Sequence, residues 1–205
     1  MGCGGENRGK ESPRLEVMKK GHKREQRMFE AKIILLGHAG VGKSSIATRY
    51  IENKFLGTYE VTIGGAYLQK HIMLADGTQV KLHIWDTGGA DRFRSMTHMY
   101  YKEAVGAIFV FDLTNHKSFD VMKYWMEDLE AHEDSKRIVL ALSGNKCDIP
   151  TESKQLIQKA KEYANTNNMF FKITSAATGE GVQELFKELI EAIANKKLKE
   201  MQSYN

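Results

Sequence analysis

The sequence predicts an α/β domain built on a six-stranded, mostly parallel sheet, with one antiparallel edge strand and helices on both faces. Three observations carry this. From Ala31 onward, short apolar runs alternate with segments of helical spacing, the pattern of strand–helix–strand units. A single Asp76-Gly77 pair sits between two alternating stretches and marks a hairpin, hence one antiparallel neighbour. Gly37-His38-Ala39-Gly40-Val41-Gly42-Lys43-Ser44 fits G-x-x-x-x-G-K-S/T at a strand-to-helix junction. Ligands in such sheets sit at the carboxyl ends of the strands, where this loop and the other glycine loops fall.

Taken in order, the apolar run Ala31–Leu36, broken only by Lys32, is a buried strand, and Ser44–Asn53 is the first helix. Gly57 to Gly65 is a polar loop. Ala66–Leu74 and Thr78–Trp85 alternate as the hairpin strands, and Asp86–Asp91 is a second glycine-bearing loop. Val105–Phe111 is a continuous apolar strand. Ser118 to Ala131 carries Phe119, Met122, Trp125, Met126 and Leu129 at helical spacing. Ile138–Leu142 and Met169–Ile173 are further strands, and Thr151–Thr166 and Gly181–Lys199 are helices.

The motif at residues 37–44 has a direct physical purpose. Gly37, Gly40 and Gly42 let the backbone wrap closely and aim its N–H groups at an anion. The helix beginning at Ser44 adds its positive end. Lys43 supplies a point charge for β- and γ-phosphates, and the Ser44 hydroxyl is a ligand for Mg²⁺. Gly40, Val41, Gly42, Lys43, Ser44 and Ser45 are thus expected to hold a nucleotide's phosphates. His38 is expected to face solvent.

Length and composition limit the rest. The 205 residues, 41 % of them hydrophobic, suffice for one domain with a full core plus tails. No apolar run approaches the roughly 18 residues of a membrane span. Cys3 and Cys147 make no disulfide framework, which suggests a reducing compartment. The net charge of +4 belongs wholly to residues 1–32; the remainder carries 21 basic and 21 acidic residues. That balance disfavours nucleic acid as a partner and points the basic arm, with Lys19, Lys20, Lys23, Arg24 and Arg27, at an anionic membrane surface. Leu15 to Phe29 reads either as a short helix broken near Gly21 or as a solvated extension. The expected division is a basic, largely flexible arm (1–30), a domain (31–199) and a short tail (200–205).

Asn145-Lys146-Cys147-Asp148, following a buried strand and a phosphate loop, resembles the guanine-reading motif of the Ras-like small GTPases. The resemblance implies the P-loop NTPase fold of a small G domain, with GTP or GDP and Mg²⁺ bound. A carboxylate such as Asp148 can accept from guanine's N1–H and 2-amino group, and adenine, offering neither, would leave it unpaired. By the same resemblance Lys146 lies along the ring and Phe55 meets its edge. Ser175-Ala176-Ala177 is similar to the family's Ser-Ala-Lys, whose backbone N–H meets the guanine carbonyl; Ala177 replaces the lysine. Asn145, Lys146, Asp148, Ser175 and Ala176 are then the guanine readers. Thr58 to Gly65 resembles the first switch, with Thr62 on Mg²⁺ and the γ-phosphate. Asp86-Thr87-Gly88-Gly89 resembles the second, with Asp86 holding Mg²⁺ through water and the Gly89 N–H on the γ-phosphate. Lys43, Thr62 and Gly89 would carry catalysis; Ser44, Thr62 and Asp86 would carry the metal.

Thr62-Ile63-Gly64-Gly65-Ala66-Tyr67, Ile84-Trp85-Asp86-Thr87, Met99-Tyr100-Tyr101 and Ala141–Lys146 place the likeness with Rab proteins of the Rab-five endosomal group, over about residues 31–195. This implies a monomeric switch on the cytoplasmic face of endosomal membranes, with effector proteins, an exchange factor and a GTPase-activating protein as partners. Tyr67, Trp85 and Tyr100 correspond to the aromatic trio that faces effectors; they are equally readable as core aromatics.

Two departures matter. Where the family has Ala-Gly-Gln-Glu after Asp86-Thr87, this chain has Gly88-Gly89-Ala90-Asp91. Ala90 cannot align the attacking water, so slow intrinsic hydrolysis is expected. An essentially non-hydrolysing GTP-bound scaffold is the alternative. A phosphate-loop nucleoside kinase would need an acceptor site and a lid, and neither is evident. The second departure is at the termini. No cysteine follows Cys147, so prenylation of this chain is not expected, while Met1-Gly2-Cys3 offers myristoylation at Gly2 and palmitoylation at Cys3. This resembles the N-terminally acylated Rab-five-like proteins of plants and protists, although Glu6 departs from the Ser or Thr preferred there.

Overall fold

The computed structural model describes residues 28–57, 62–89, 99–132, 137–151 and 153–203. Gly2, Cys3, the basic arm to residue 27, positions 58–61 of the first switch, Ala90 and Asp91 lie outside them. Six strands form one sheet: β1 (Met28–Leu36), β2 (Gly65–Met73), β3 (Gln79–Thr87), β4 (Gly106–Asp112), β5 (Val139–Asn145) and β6 (Phe170–Ile173). Their order across the sheet is β2-β3-β1-β4-β5-β6, and only β2 runs antiparallel to its neighbour. The helices described are α1 (Lys43–Glu52), α2 (His116–Glu130), α3 (Lys154–Thr166) and α4 (Val182–Ser203).

The central strands are apolar on both faces because both faces are covered. Alternate residues go to opposite sides. Ile33 and Leu35 of β1, with Ile108 and Val110 of β4, join a core with Ile46, Ala47 and Tyr50 of α1 and Val182, Leu185, Phe186, Leu189, Ile190 and Ile193 of α4. Ile34, Leu36, Phe109 and Phe111 join the other core, with Phe119, Met122, Trp125, Met126 and Leu129 of α2 and Leu156, Ala160 and Ala164 of α3. Each fully buried large side chain contributes about 1.5–3 kcal/mol, so these two stripes, not helix propensity, hold α2 and α4 in place. Across the first core Tyr50 stacks on Phe186 with ring centroids 3.8 Å apart. Burial pushes the Tyr50 hydroxyl up to about 12.

The elements follow the expected order, and the differences at their ends have physical causes. β1 begins at Met28 rather than Ala31, because Met28 already pairs with Gln79 of β3. Phe29 is therefore in a strand and not in the helix considered for Leu15 to Phe29. β5 continues past Leu142 through Ser143 and Gly144 to Asn145, held by β4 up to Asp112 although its apolar run has ended. The hairpin loop holds three residues, Ala75 to Gly77, since Leu74 N–H donates to Thr78 O. Gly77 takes a φ of 86°, and the Asp76 carboxylate accepts from the Thr78 N–H at 2.9 Å. No described helix is long and apolar enough to cross a membrane.

Candidate functional site

The carboxyl ends of β1, β3, β4 and β5 gather the residues that the sequence singled out. β1 runs into Gly37, whose φ is 142°; a Cβ there would collide with the Val110 carbonyl oxygen, so only glycine can make this exit. The chain then wraps to Gly42, which has a φ of 98° and leads into α1. A Cβ on Gly42 would strike the Asn145 side-chain nitrogen.

Inside this loop Lys43 is 5 % exposed and donates to the carbonyls of Gly37, at 2.9 Å, and His38, at 3.1 Å. Burial pushes its ammonium down to about 8, against the pull of the Asp86 carboxylate. Desolvation therefore outweighs that attraction, and a bound polyphosphate would supply the missing counter-charge. His38 is half-buried rather than solvent-facing, with Nδ1 2.8 Å from the Ala39 carbonyl oxygen.

Ser44, Thr62 and Asp86 converge from three segments. Ser44 Oγ lies 2.8 Å from Thr62 Oγ1 and donates to Asp86 Oδ2 at 2.5 Å. Asp86 Oδ1 is buried with no hydrogen-bond partner. Burial raises the Asp86 pKa, opposed by the Ser44 hydrogen bond, the Lys43 charge and Thr62. Two hydroxyls and an orphaned carboxylate oxygen form a hard-oxygen donor set, which fits Mg²⁺. Gly89 closes over the loop. A Cβ there would meet Lys43 Nζ, and would come within 2.6 Å of both Ala39 N and Gly37 O.

Lower in the groove, Gly42, Ser45, Phe55, Asn145, Lys146, Asp148, Ile149, Ala176 and Ala177 line a small cleft. Its residues are already engaged with one another. Asn145 Nδ2 donates to Val41 O at 2.9 Å, and its Oδ1 accepts from Thr174 Oγ1 and the Ala176 N–H, each at 3.2 Å. Asn145 is 1 % exposed and spans the phosphate loop and the Ser175-Ala176 loop, and its Nδ2 carries a second N–H besides the one given to Val41. The Ala176 N–H expected on a guanine carbonyl is the same group that Asn145 holds. Val41 is 2 % exposed, so it serves the site through its carbonyl. Ser175 Oγ donates to Asp148 Oδ1 at 2.5 Å. Lys146 takes a φ of 67° and pairs with Asp112 Oδ2 at 2.7 Å.

The aromatic trio forms one row: Tyr67 and Trp85 centroids are 5.3 Å apart, Trp85 and Tyr100 5.5 Å. Trp85 and Tyr100 pack against the second core, as core aromatics do, while Tyr67 is 49 % exposed. His83 extends the row, its Nδ1 2.5 Å from the Tyr67 hydroxyl and its Nε2 3.1 Å from Glu30.

Sequence reasoning missed Asp112, Thr174, His83 and Arg49. Asp112 carried a signal, as the lone acid closing an otherwise apolar strand. Arg49 carried another, lying three residues after Ile46 on the apolar side of α1.

The family model described as Ras family matches residues 32–195. The chain is 42 % identical to "Ras-related protein RABF2b" of Arabidopsis thaliana over 161 residues, covering 78 % of this chain and 80 % of that protein. It is 40 % identical to "Ras-related protein Rab-5B" of Plasmodium falciparum over 177 residues, 86 % of this chain and 83 % of that one. "Ras-related protein Rab-5A" of Dictyostelium discoideum is 41 % identical over 163 residues, 80 % of each chain.

Proposed function

Because the chain belongs to the Ras family of small GTPases and is of the Rab-five type, we propose that it is a membrane-anchored switch of endosomal trafficking whose own turnover of GTP is slow. The family binds GTP and GDP with Mg²⁺ and hydrolyses GTP. The observation that carries the assignment to these residues is the orphaned Asp86 Oδ1 beside Ser44 and Thr62, under a loop with a buried lysine.

In this reading Lys43 and the N–H groups of Gly40 to Ser45 bind the phosphates. Ser44, Thr62 and Asp86 would hold Mg²⁺, which would supply positive charge against the phosphates. Gly89 lies close against Lys43 and the phosphate loop, and its N–H would meet the γ-phosphate. Water attacks the γ-phosphorus in line with the departing β-oxygen. Asn145, Lys146, Asp148, Ser175 and Ala176 read guanine, and Asn145 also holds the Ser175-Ala176 loop against the phosphate loop. Loss of the γ-phosphate removes the contacts on Thr62 and Gly89, and with them the ordering of both switches. Effectors then lose the surface around Tyr67, Trp85 and Tyr100.

Ala90 offers no donor or acceptor to the attacking water. Intrinsic hydrolysis is expected to be roughly 10- to 100-fold slower than in a glutamine-bearing relative, the effect of one polar aligning group. Single-turnover hydrolysis by the protein and its Ala90→Gln variant measures this, and equal rates refute it. A scaffold that hardly turns over is the second reading, favoured by the same residue; GTP rather than GDP bound after purification would support it.

In this proposal the basic arm precedes the domain, whose first strand begins at Met28 rather than at the expected boundary of 31. Gly2 and Cys3 carry the lipids, since one myristoyl chain binds membranes only marginally and needs a second chain or the arm's charge. Co-expression with a myristoyltransferase should add one acyl mass at Gly2; an unmodified amine rules it out.

A further inference from the structure

The base cleft has two walls that belong to distant parts of the chain. One is the turn after α1, from Asn53 to Phe55; the other is the loop from Ser175 to Ala177. A single guanidinium joins them. Arg49 Nε donates to Ala176 O at 2.8 Å and Nη2 to Ala177 O at 2.6 Å. Nη1 donates to Asn53 O at 2.9 Å and to Asn53 Oδ1 at 3.2 Å. All three nitrogens are used, and their directions are set by one rigid plane.

We infer that Arg49 is a positioning residue for nucleotide selectivity, stapling the Asn53–Phe55 turn to the Ala176–Ala177 loop and so fixing the width of the base cleft. The inference rests on the guanine-nucleotide reading above and deepens it. Three features support it. Asn53 is a left-handed helix cap with a φ of 55°, so the turn leading to Phe55 has a defined start for Arg49 to grip. The Ser175–Gly181 loop is tied from its far side by Asn145 Oδ1 on the Ala176 N–H, which leaves the Ala176 and Ala177 carbonyls directed at α1. Position 177 is alanine, with no long side chain of its own to brace the cleft.

All four contacts are charge-assisted; those to Ala176 and Ala177 are partly buried and count for more than a surface bond, while those to Asn53 are exposed. Lysine keeps the charge but brings one nitrogen instead of a planar fork, and cannot hold both walls.

The test is release of a fluorescent GDP into excess unlabelled GDP, together with the ratio of GDP to ADP affinity. Arg49→Ala should speed release by roughly 10- to 100-fold, and Arg49→Lys should fall between it and the wild type. The GDP-to-ADP ratio should fall with Arg49→Ala, because a loosened cleft discriminates less. A purely structural role would weaken GDP and ADP equally and leave the ratio unchanged. An unchanged release rate, or an unchanged ratio, overturns the inference. If Arg49→Ala does not fold, Arg49→Lys gives both readouts. Wild-type protein that fails to hold GDP refutes the nucleotide reading itself, a different failure.

Discussion

The two ends of the groove are built on opposite plans. At the phosphate end the chain leaves a gap: Asp86 Oδ1 has no partner, and the Lys43 ammonium, though it donates to two carbonyls, is pushed down by burial. At the base end almost every group is spoken for within the chain, through Asn145, Ser175–Asp148, Lys146–Asp112 and Arg49. On the function proposed above, the first end would be completed by its ligand, and the second is already organised for recognition. Loss of a phosphate can therefore release one end while the other keeps its grip, as a switch that retains GDP requires.

The difference can be broken experimentally, and the largest effect should come at the base end. Asp148→Asn replaces the acceptor for two guanine donors by an amide, and GDP affinity should fall by roughly 100- to 1000-fold. Titration calorimetry in magnesium buffer reads this; a loss under 10-fold would remove Asp148 from the recognition of the base. Next is Asn145→Ala in nucleotide-free protein. It strands the Thr174 and Ala176 donors and the Val41 carbonyl, at about 2–4 kcal/mol. The melting temperature should drop by roughly 5–15 °C. The smallest effect belongs to Thr62→Ala, whose hydroxyl shares Ser44 with Asp86. Without nucleotide it should shift melting by no more than about 2 °C. A large shift would mean that the phosphate end, too, is structurally complete in the empty protein.

The same contrast governs what could be read from the sequence. The phosphate end was legible because its chemistry is written in eight consecutive residues, with Thr62, Asp86 and Gly89 at recognisable distances. The fold was legible because apolar runs in β1, β4 and β5 are long enough to betray strands covered on both sides. Strand ends were less so: β5 extends through Ser143 to Asn145 on hydrogen bonds that a hydropathy pattern does not record. At the base end the motif residues were visible but their wiring was not. Asn145 reaches Val41 across 104 positions, and Arg49 reaches Ala176 across 127. Such contacts exist only once the sheet has brought α1 and the loop after β6 side by side. The position of Arg49 beside the apolar side of α1 hints at burial, but nothing local names the distant carbonyls it reaches.

The His83 imidazole has a consequence for how the molecule is presented. It touches the Tyr67 hydroxyl on one side and the Glu30 carboxylate on the other, and Glu30 stands two residues after Met28, where β1 begins. Any protein that docks on the tyrosine therefore stands a single ring away from the strand into which residues 1–27 lead. On the anchoring and effector surface proposed above, the point where the chain enters the sheet and the exposed tyrosine lie on one face.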